Sequence, residues 1–337
     1  MLSKFTDFLS SIGMMLAGVF LLFFSSVYFA SDHHFSFAQL PTSGKRLNVG
    51  GDITLENLPP SKPSVPLLKA GGSVFPLPLT AISATVLDAK TKTVLFNKNE
   101  TEIRSLASIT KLMTAMVLLD LPMKWTSTTV ITEDDIEGDH HVEVGERFSL
   151  EDLWHVALIG SSNSAINTLV RNSGVGEEKF VELMNQKAKD LRLSSARFFE
   201  PTGLSERNMA TAPDTAKLLI DALKFDKIYN TVQIAEYYAK PLGEKKTKRV
   251  WTTNWLLTNW IPNNFKAENI AGKTGYIDDS GYNFVVSLSD DKKHTITVAI
   301  LGAATNEERF SEARDLAAWV FDHYLWPDQD GYKDLVE

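Results

Sequence analysis

Ser108-Ile109-Thr110-Lys111 places a hydroxyl and an amine on one face of a predicted helix, about one turn apart and at its start. Such a pair can act as nucleophile and base. A serine hydroxyl attacks a carbonyl only when a neighbour takes its proton, and a lysine can take it only if burial or a nearby cation lowers its pKa toward neutrality. The start of the helix adds the positive end of its dipole beneath the attacked group. Alone the pattern means little, because a chain of this composition contains on the order of one Ser-x-x-Lys by chance. A second copy, Ser289-Asp290-Asp291-Lys292, lies in a charged turn where its lysine is solvated and protonated.

Two further stretches carry complementary groups. Gly160-Ser161-Ser162-Asn163 follows an apolar helix and offers a second hydroxyl and a carboxamide. Gly272-Lys273-Thr274-Gly275 offers a second cation, another hydroxyl and a glycine that permits close backbone approach to a ligand. Taken singly, Ser161 reads as a helix N-cap and Lys273 as part of an exposed turn.

The elements that must position these groups are legible in outline. Ile82–Leu87 and Thr93–Phe96 are β-rich runs around a short polar turn, a hairpin pattern. Apolar residues recur at helical spacing from Ser108 to Leu121, and Leu150 to Asn172 and Glu177 to Leu191 also read as helices. After Gly272 the pattern returns to strands, Tyr282–Leu288 and Thr295–Leu301, followed by an amphipathic helix from about Glu307 to Leu325. Strands at both ends enclosing helices imply an α+β fold: an antiparallel sheet flanked by helices, with a helical subdomain inserted between Ser108 and Lys273 and the site in the cleft between them.

The 337 residues carry a formal net charge of −8 without a basic run, which excludes a nucleic-acid partner that relies on phosphate neutralisation. There is no cysteine, so neither disulfides nor thiolate metal sites are possible. His140-His141 with Glu143 and Glu146 lacks a further ligand set at catalytic spacing and reads as a solvated acidic loop. Trp251, Trp255 and Trp260 recur at near-helical spacing, which suits core packing or a cleft wall. No charged residue occurs from Phe8 to Ala30, a length that fits a bilayer span, and Tyr28 before Phe29-Ala30 makes a poor cleavage site. Residues 1–30 therefore read as a retained single-pass signal anchor, with Lys4 on the cytoplasmic side and everything after Ala30 outside. Residues 31–78 read as a Pro/Gly/Ser-rich linker, 79–326 as the catalytic domain and 327–337 as a tail.

Ser-x-x-Lys, Ser-x-Asn and Lys-Thr-Gly in this order resemble the signature of penicillin-binding proteins and serine β-lactamases. The surroundings resemble more narrowly the low-molecular-mass D-alanyl-D-alanine carboxypeptidases: Ala107 to Ala115, Val144-Gly145-Glu146, Phe180-Val181 with Met184-Asn185, Pro201-Thr202-Gly203-Leu204, Gly281-Tyr282-Asn283, and Leu301-Gly302-Ala303 followed by Arg309. The resemblance spans about Ala81 to Leu325 and implies a β-lactamase/transpeptidase-like fold. It implies Ser108 as acylated nucleophile, Lys111 as its base and Ser161 as a proton relay to the leaving amine. Asn163 would bond the substrate amide and Lys111, and Lys273 would hold down the pKa of Lys111 by like-charge repulsion. Thr274 and Arg309 would take the substrate's terminal carboxylate, the arginine through a planar two-pronged contact. The backbone N–H groups of Ser108 and Tyr276 would form the oxyanion hole, and Gly275 would lie among the substrate-binding residues.

The implied substrate is the D-Ala-D-Ala end of a peptidoglycan stem peptide, β-lactams are implied inhibitors, and no metal or organic cofactor is required. The same residues would serve a D,D-endopeptidase acting on cross-links. A β-lactamase, or an idle wall-binding or β-lactam-sensing protein, completes the alternatives. There are departures from the family pattern. Thr202 stands where many members have histidine, Ser162 replaces a frequent glycine, and a C-terminal β domain with an anchor helix is not seen. Glu200 invites comparison with the deacylating glutamate of class A β-lactamases, but Ser205 stands where an asparagine would be expected.

Overall fold

The computed structural model describes residues 65–71 and 74–336. The strands are β1 (Leu67–Leu68), β2 (Ser83–Asp88), β3 (Val94–Lys98), β4 (Arg104–Ser105), β5 (Thr128–Val130), β6 (Arg147–Ser149), β7 (Met209–Ala210), β8 (Glu236–Ala239), β9 (Lys248–Trp251), β10 (Ile270–Ile277), β11 (Gly281–Ser289), β12 (Thr295–Ala303) and β13 (Tyr324–Leu325). The helices are α1 (Thr110–Asp120), α2 (Leu150–Ile159), α3 (Asn163–Asn172), α4 (Glu177–Asp190), α5 (Ala212–Ala222), α6 (Asp226–Val232) and α7 (Glu308–His323).

A five-stranded antiparallel sheet in the order β10-β11-β12-β2-β3 joins the two ends of the domain. Its two faces follow from the period of two along each strand. Phe284, Val286 and Leu288 of β11 and Ile296, Val298 and Ile300 of β12 pack with Phe310, Leu316 and Val320 of α7. Val285, Ala299 and Leu301 turn the other way into a core shared with Leu218 and Leu219 of α5 and with the helical part. Both faces are covered, so the central strands read as nearly continuous apolar runs. α1 is buried from Thr110 through Leu118, as a helix wrapped on all sides by others must be. α2, α3, α4 and α6 complete the helical part, inserted between α1 and β10 as expected.

Three differences from the sequence reading have local causes. The segment read as linker through residue 78 is docked over its described part: Leu67-Leu68 pairs with Leu325 and Tyr324, and the Phe75 ring meets Phe96 and Trp319 edge-on at 5.9 Å each. The same pairing ends α7 at His323, because Tyr324-Leu325 is drawn into β13. The C-terminal stretch is packed as well, with Trp326 donating to Asp88 (3.0 Å) and the Tyr332 hydroxyl to Val65 O (2.7 Å). The expected anchor, residues 1–30, lies outside the described residues. Among those described, no helix is long and apolar enough to cross a membrane.

Candidate active site

The chain enters the site through β4, which pairs with β7, and Leu106 N bonds Asn208 O at 2.8 Å. Ala107 then takes a left-handed backbone, φ +48°, and opens a short 3-10 turn, Ala107–Ile109, that runs into α1. A left-handed alanine costs on the order of 1–2 kcal/mol and persists only where its surroundings enforce it. Two glycines supply that enforcement. A Cβ on Gly203 would lie 2.1 Å from Ala107 O, and one on Gly275 would lie 2.4 Å from Leu106 O and 3.2 Å from Ser108 N. The Pro201–Leu204 turn and β10 thus close on the shoulder before Ser108 from two sides.

One turn on, Lys111 is entirely buried, and its Nζ lies 2.9 Å from Ser108 Oγ. It also donates to Asn163 Oδ1 and to Thr202 O, both at 2.6 Å. The two oxygens can only accept. A neutral amine has two N–H groups to give them, which leaves its lone pair for the Ser108 O–H. Burial lowers the Lys111 pKa to about 7, against the opposing pull of Glu200, Asp139 and Glu137. This corrects the expected cause: desolvation, rather than the charge of Lys273, keeps this amine near neutrality. The like-charge effect falls on Lys273, held well below its usual value by burial first and then by the charges of Lys111 and Arg309.

Ser161 and Asn163 come from the break between α2 and α3. Ser162, not Ser161, is the N-cap of α3, its Oγ accepting from Ala165 N at 3.0 Å. Ser161 is left with a left-handed backbone, φ +62°, and accepts from Lys273 Nζ at 2.7 Å. Asp139 fixes this bend by accepting from Ser162 Oγ (2.9 Å) and from Ser164 N (2.9 Å). The loop read as solvated acidic surface therefore has one carboxylate turned inward. Among the described residues no group of three or more His, Cys, Asp or Glu side chains could hold a metal ion.

Lys273 lies in the edge strand β10, not in a turn, and is 1 % exposed. Thr274 Oγ is 2.5 Å from Thr253 Oγ. Tyr276, further along the strand, stacks on Tyr282 at 4.4 Å. Arg309, at the start of α7, is buried and donates through Nη1 to Gly275 O (3.1 Å) and Asn283 O (3.3 Å). Its Nε has no partner, and burial brings its pKa down to about 10. The expected two-pronged contact is therefore partly committed to backbone. These bonds form two groups, Ser108–Lys111–Asn163 and Ser161–Lys273–Thr274, and Gly275, packed on the turn before Ser108, and Arg309, bonded to Gly275 O, lie beside them; the Ser289 copy of the motif lies at the far end of β11.

Two residues matter more than the sequence suggested. The Glu200 carboxylate accepts from Thr202 N (2.5 Å), Thr202 Oγ (2.6 Å), Gly203 N (2.7 Å), Ser205 N (3.2 Å) and Asn208 Nδ2 (2.7 Å). It is the hub that aims Thr202 O at Lys111. The Thr202 hydroxyl is thereby committed to the turn, so the threonine found in place of histidine acts through its carbonyl. Thr253, beside Thr274, had no signal in the sequence beyond its place near the tryptophans.

At the centre of the arrangement a buried lysine is hydrogen-bonded to a serine one turn away, and a second buried lysine stands on the edge strand β10. The family model for D-alanyl-D-alanine carboxypeptidase, peptidase S11, matches residues 72–305. The chain belongs to this family of serine peptidases. It is 32% identical to a D-alanyl-D-alanine endopeptidase of Pseudomonas aeruginosa over 271 residues, 78% of this chain and 81% of that one. It is 29% identical to the D-alanyl-D-alanine carboxypeptidase DacF of Bacillus subtilis over 255 residues, covering 72% and 63% of the two chains. The DD-transpeptidase of Streptomyces K15 shares the fold at a TM-score of 0.67, with 23% identity over 74% of this chain and all of that one. In the S11 peptidase described here, the antiparallel sheet with flanking helices is thus the penicillin-binding fold that the motifs implied.

Proposed function

We propose that this chain is a serine D-Ala-D-Ala carboxypeptidase that acts on peptidoglycan stem peptides through an acyl-enzyme on Ser108. The observation that carries the reading is the amine of Lys111, buried, held near neutrality, and hydrogen-bonded so that its lone pair faces the Ser108 hydroxyl. Lys111 takes the Ser108 proton as Oγ bonds to the penultimate D-alanine carbonyl carbon. Backbone N–H groups of Ser108 and Tyr276 hold the developing oxyanion, an element worth a few kcal/mol of barrier, on the order of 3. Ser161, oriented by Lys273, gives its proton to the leaving amine and regains one from Lys111, which thereby returns the proton it took from Ser108. The C–N bond breaks, D-alanine departs, and water hydrolyses the ester to restore Ser108. Asn163 Nδ2 holds the substrate amide.

The electrostatics favour an anionic substrate. Lys273 and Arg309 are both buried, and the charge of Arg309 is among the causes that lower the pKa of Lys273. A terminal carboxylate at Thr274 and Arg309 supplies the missing anion, and the carboxylate of a penicillin does the same. Residues 1–30 serve as the membrane anchor in this reading, supported by the uncharged run Phe8–Ala30 and by Lys4 before it, with the catalytic domain on the outer, wall-facing side. A second reading, D,D-endopeptidase action on cross-links, is favoured by an open groove that reaches Thr274 through Thr253 and by the endopeptidase names of relatives in P. aeruginosa and Escherichia coli.

The test is to label the full chain with a fluorescent penicillin, map the modified peptide, and follow D-alanine release from a stem pentapeptide. Label on the peptide that contains Ser108 together with D-alanine release is expected. Label elsewhere, or a labelled chain that releases nothing, would defeat the proposal.

Glu200→Gln provides a finer check. Its charge raises the Lys111 pKa, so removing it shifts the acid limb of the labelling rate to lower pH. Glutamine also has one acceptor oxygen for the donors that two now satisfy, a cost of about 1–3 kcal/mol in stability for each donor left unpaired. The variant should therefore melt at a lower temperature yet label relatively better at acidic pH. An unmoved acid limb would show that Glu200 does not act on Lys111.

A further inference from the structure

Beside Thr253, the hydrogen-bond partner of Thr274, lies a groove of about 730 Å³. Trp251 and Trp260 stand on its walls, 51% and 72% exposed, and Trp255 lies between Trp260 (5.2 Å between rings) and Phe310 (5.4 Å). The near-helical spacing of the tryptophans does not come from a helix: Trp251 ends β9, and the following residues run through successive turns. Exposed tryptophans clustered in a concavity mark a contact surface, because such area is otherwise kept from water. The Arg249 guanidinium lies over the Trp251 ring at 3.9 Å and bonds the Glu236 carboxylate, which holds that wall in place.

Two observations join the groove to the reaction centre. Thr253 lines it and is 2.5 Å from Thr274 Oγ. Arg309 also lines it, buried, with Nε unpartnered, and the buried Asn306 Oδ1 on the same wall is unpartnered too. The groove therefore holds Arg309 and reaches Thr274 through Thr253, and Thr274 and Arg309 are the residues assigned above to the carboxylate of the leaving residue. Ligand pockets of roughly 300–1,000 Å³ hold molecules far larger than one alanine. No aspartate or glutamate lines this one, and Arg249 is paired with Glu236 outside it, whereas the Nε of Arg309 is unpaired, which suits a peptide that carries a carboxylate.

We propose that this groove receives the second stem peptide when the leaving amine belongs to a cross-linked chain, and that Trp251 and Trp260 select cross-links over monomeric pentapeptides. The inference rests on the acyl-enzyme reading above and adds the leaving side to it. The chemistry is unchanged. The Ser108 Oγ–acyl bond forms, the C–N bond to the neighbouring stem's side-chain amine breaks, that amine takes the proton, and water later frees Ser108. What changes is that a whole stem, not one residue, must lie past Thr274.

The full chain and its Trp251→Ala, Trp260→Ala and Trp260→Phe variants are assayed on a cross-linked muropeptide dimer, on a monomeric pentapeptide and with fluorescent penicillin. Each alanine variant should lose about tenfold or more in kcat/KM on the dimer, chiefly through KM, and Trp260→Phe should recover much of it. Pentapeptide turnover and labelling should stay within about twofold, since neither fills the groove. Unchanged dimer cleavage, or an equal loss on all three probes, overturns the assignment. A wild-type chain that labels with penicillin but leaves the dimer intact overturns this inference and spares the acyl-enzyme, whereas a chain that does not label at all removes both.

Discussion

Lys111→Ala acylates roughly 10²–10⁴-fold more slowly than the wild-type chain, the range over which a positioned general base contributes. The expectation comes from the three bonds of Nζ. Asn163 Oδ1 and Thr202 O take both N–H groups of the neutral amine, so only the lone pair faces Ser108 Oγ. The working form is the unprotonated one, and with the pKa lowered to about 7 it becomes scarce below that pH. The wild-type labelling rate with penicillin should therefore rise as pH increases through about 7 and flatten above it. Lys111→Arg keeps a long cationic chain but no accessible neutral state, and should be as inactive as alanine. Labelling rate against pH, with thermal unfolding to confirm that each variant folds, decides the matter. A wild-type rate independent of pH between about 5 and 9, or a Lys111→Arg variant that labels normally, would remove Lys111 as the base.

The groups proposed to do the chemistry stood out because each sits in a short, ordered pattern, and the sheet and helices around them because their periodicities are strong. What stayed hidden depends on contacts between distant parts of the chain. Lys273 read alone as part of an exposed turn because Gly272, Thr274 and Gly275 weaken the strand pattern. Pairing with β11 and burial against the nucleophile's turn override that preference. The cause of the lowered Lys111 pKa was misread for a related reason: two lysines in a motif suggest repulsion, but the desolvation that dominates comes from packing that no motif records. Glu200 seemed a weak echo of a catalytic glutamate, and its real work, gathering the amides of its own turn, appears only once the turn is folded. The docking of Leu67-Leu68 against Tyr324-Leu325 joins opposite ends of the domain and has no local signature at either.

Gly203→Ala should be among the most damaging single-methyl changes in the molecule. Gly203 has φ +95°, and an added Cβ would lie 2.1 Å from Ala107 O, 2.4 Å from Ala107 C and 2.8 Å from Ser108 N. None of these atoms belongs to a side chain that could swing away. The left-handed backbone costs about 1–2 kcal/mol for a residue with a Cβ, and the overlap about 1–3 kcal/mol more. Relief requires the Ala107–Ser108 peptide to move, and its N–H is the proposed oxyanion donor; losing one such donor slows acylation by roughly 10²–10³-fold. Gly174→Ala is the control, since Gly174 has φ +78° but nothing within 4 Å of an added Cβ. It shares the conformational cost without the collision. Gly174→Ala should lower the melting temperature modestly and label Ser108 at the wild-type rate, while Gly203→Ala loses several degrees more and most of its labelling. Equal behaviour of the two would mean that the turn gives way without disturbing the nucleophile, and the close packing of Gly203 on Ala107 would then have no part in holding Ser108 in place.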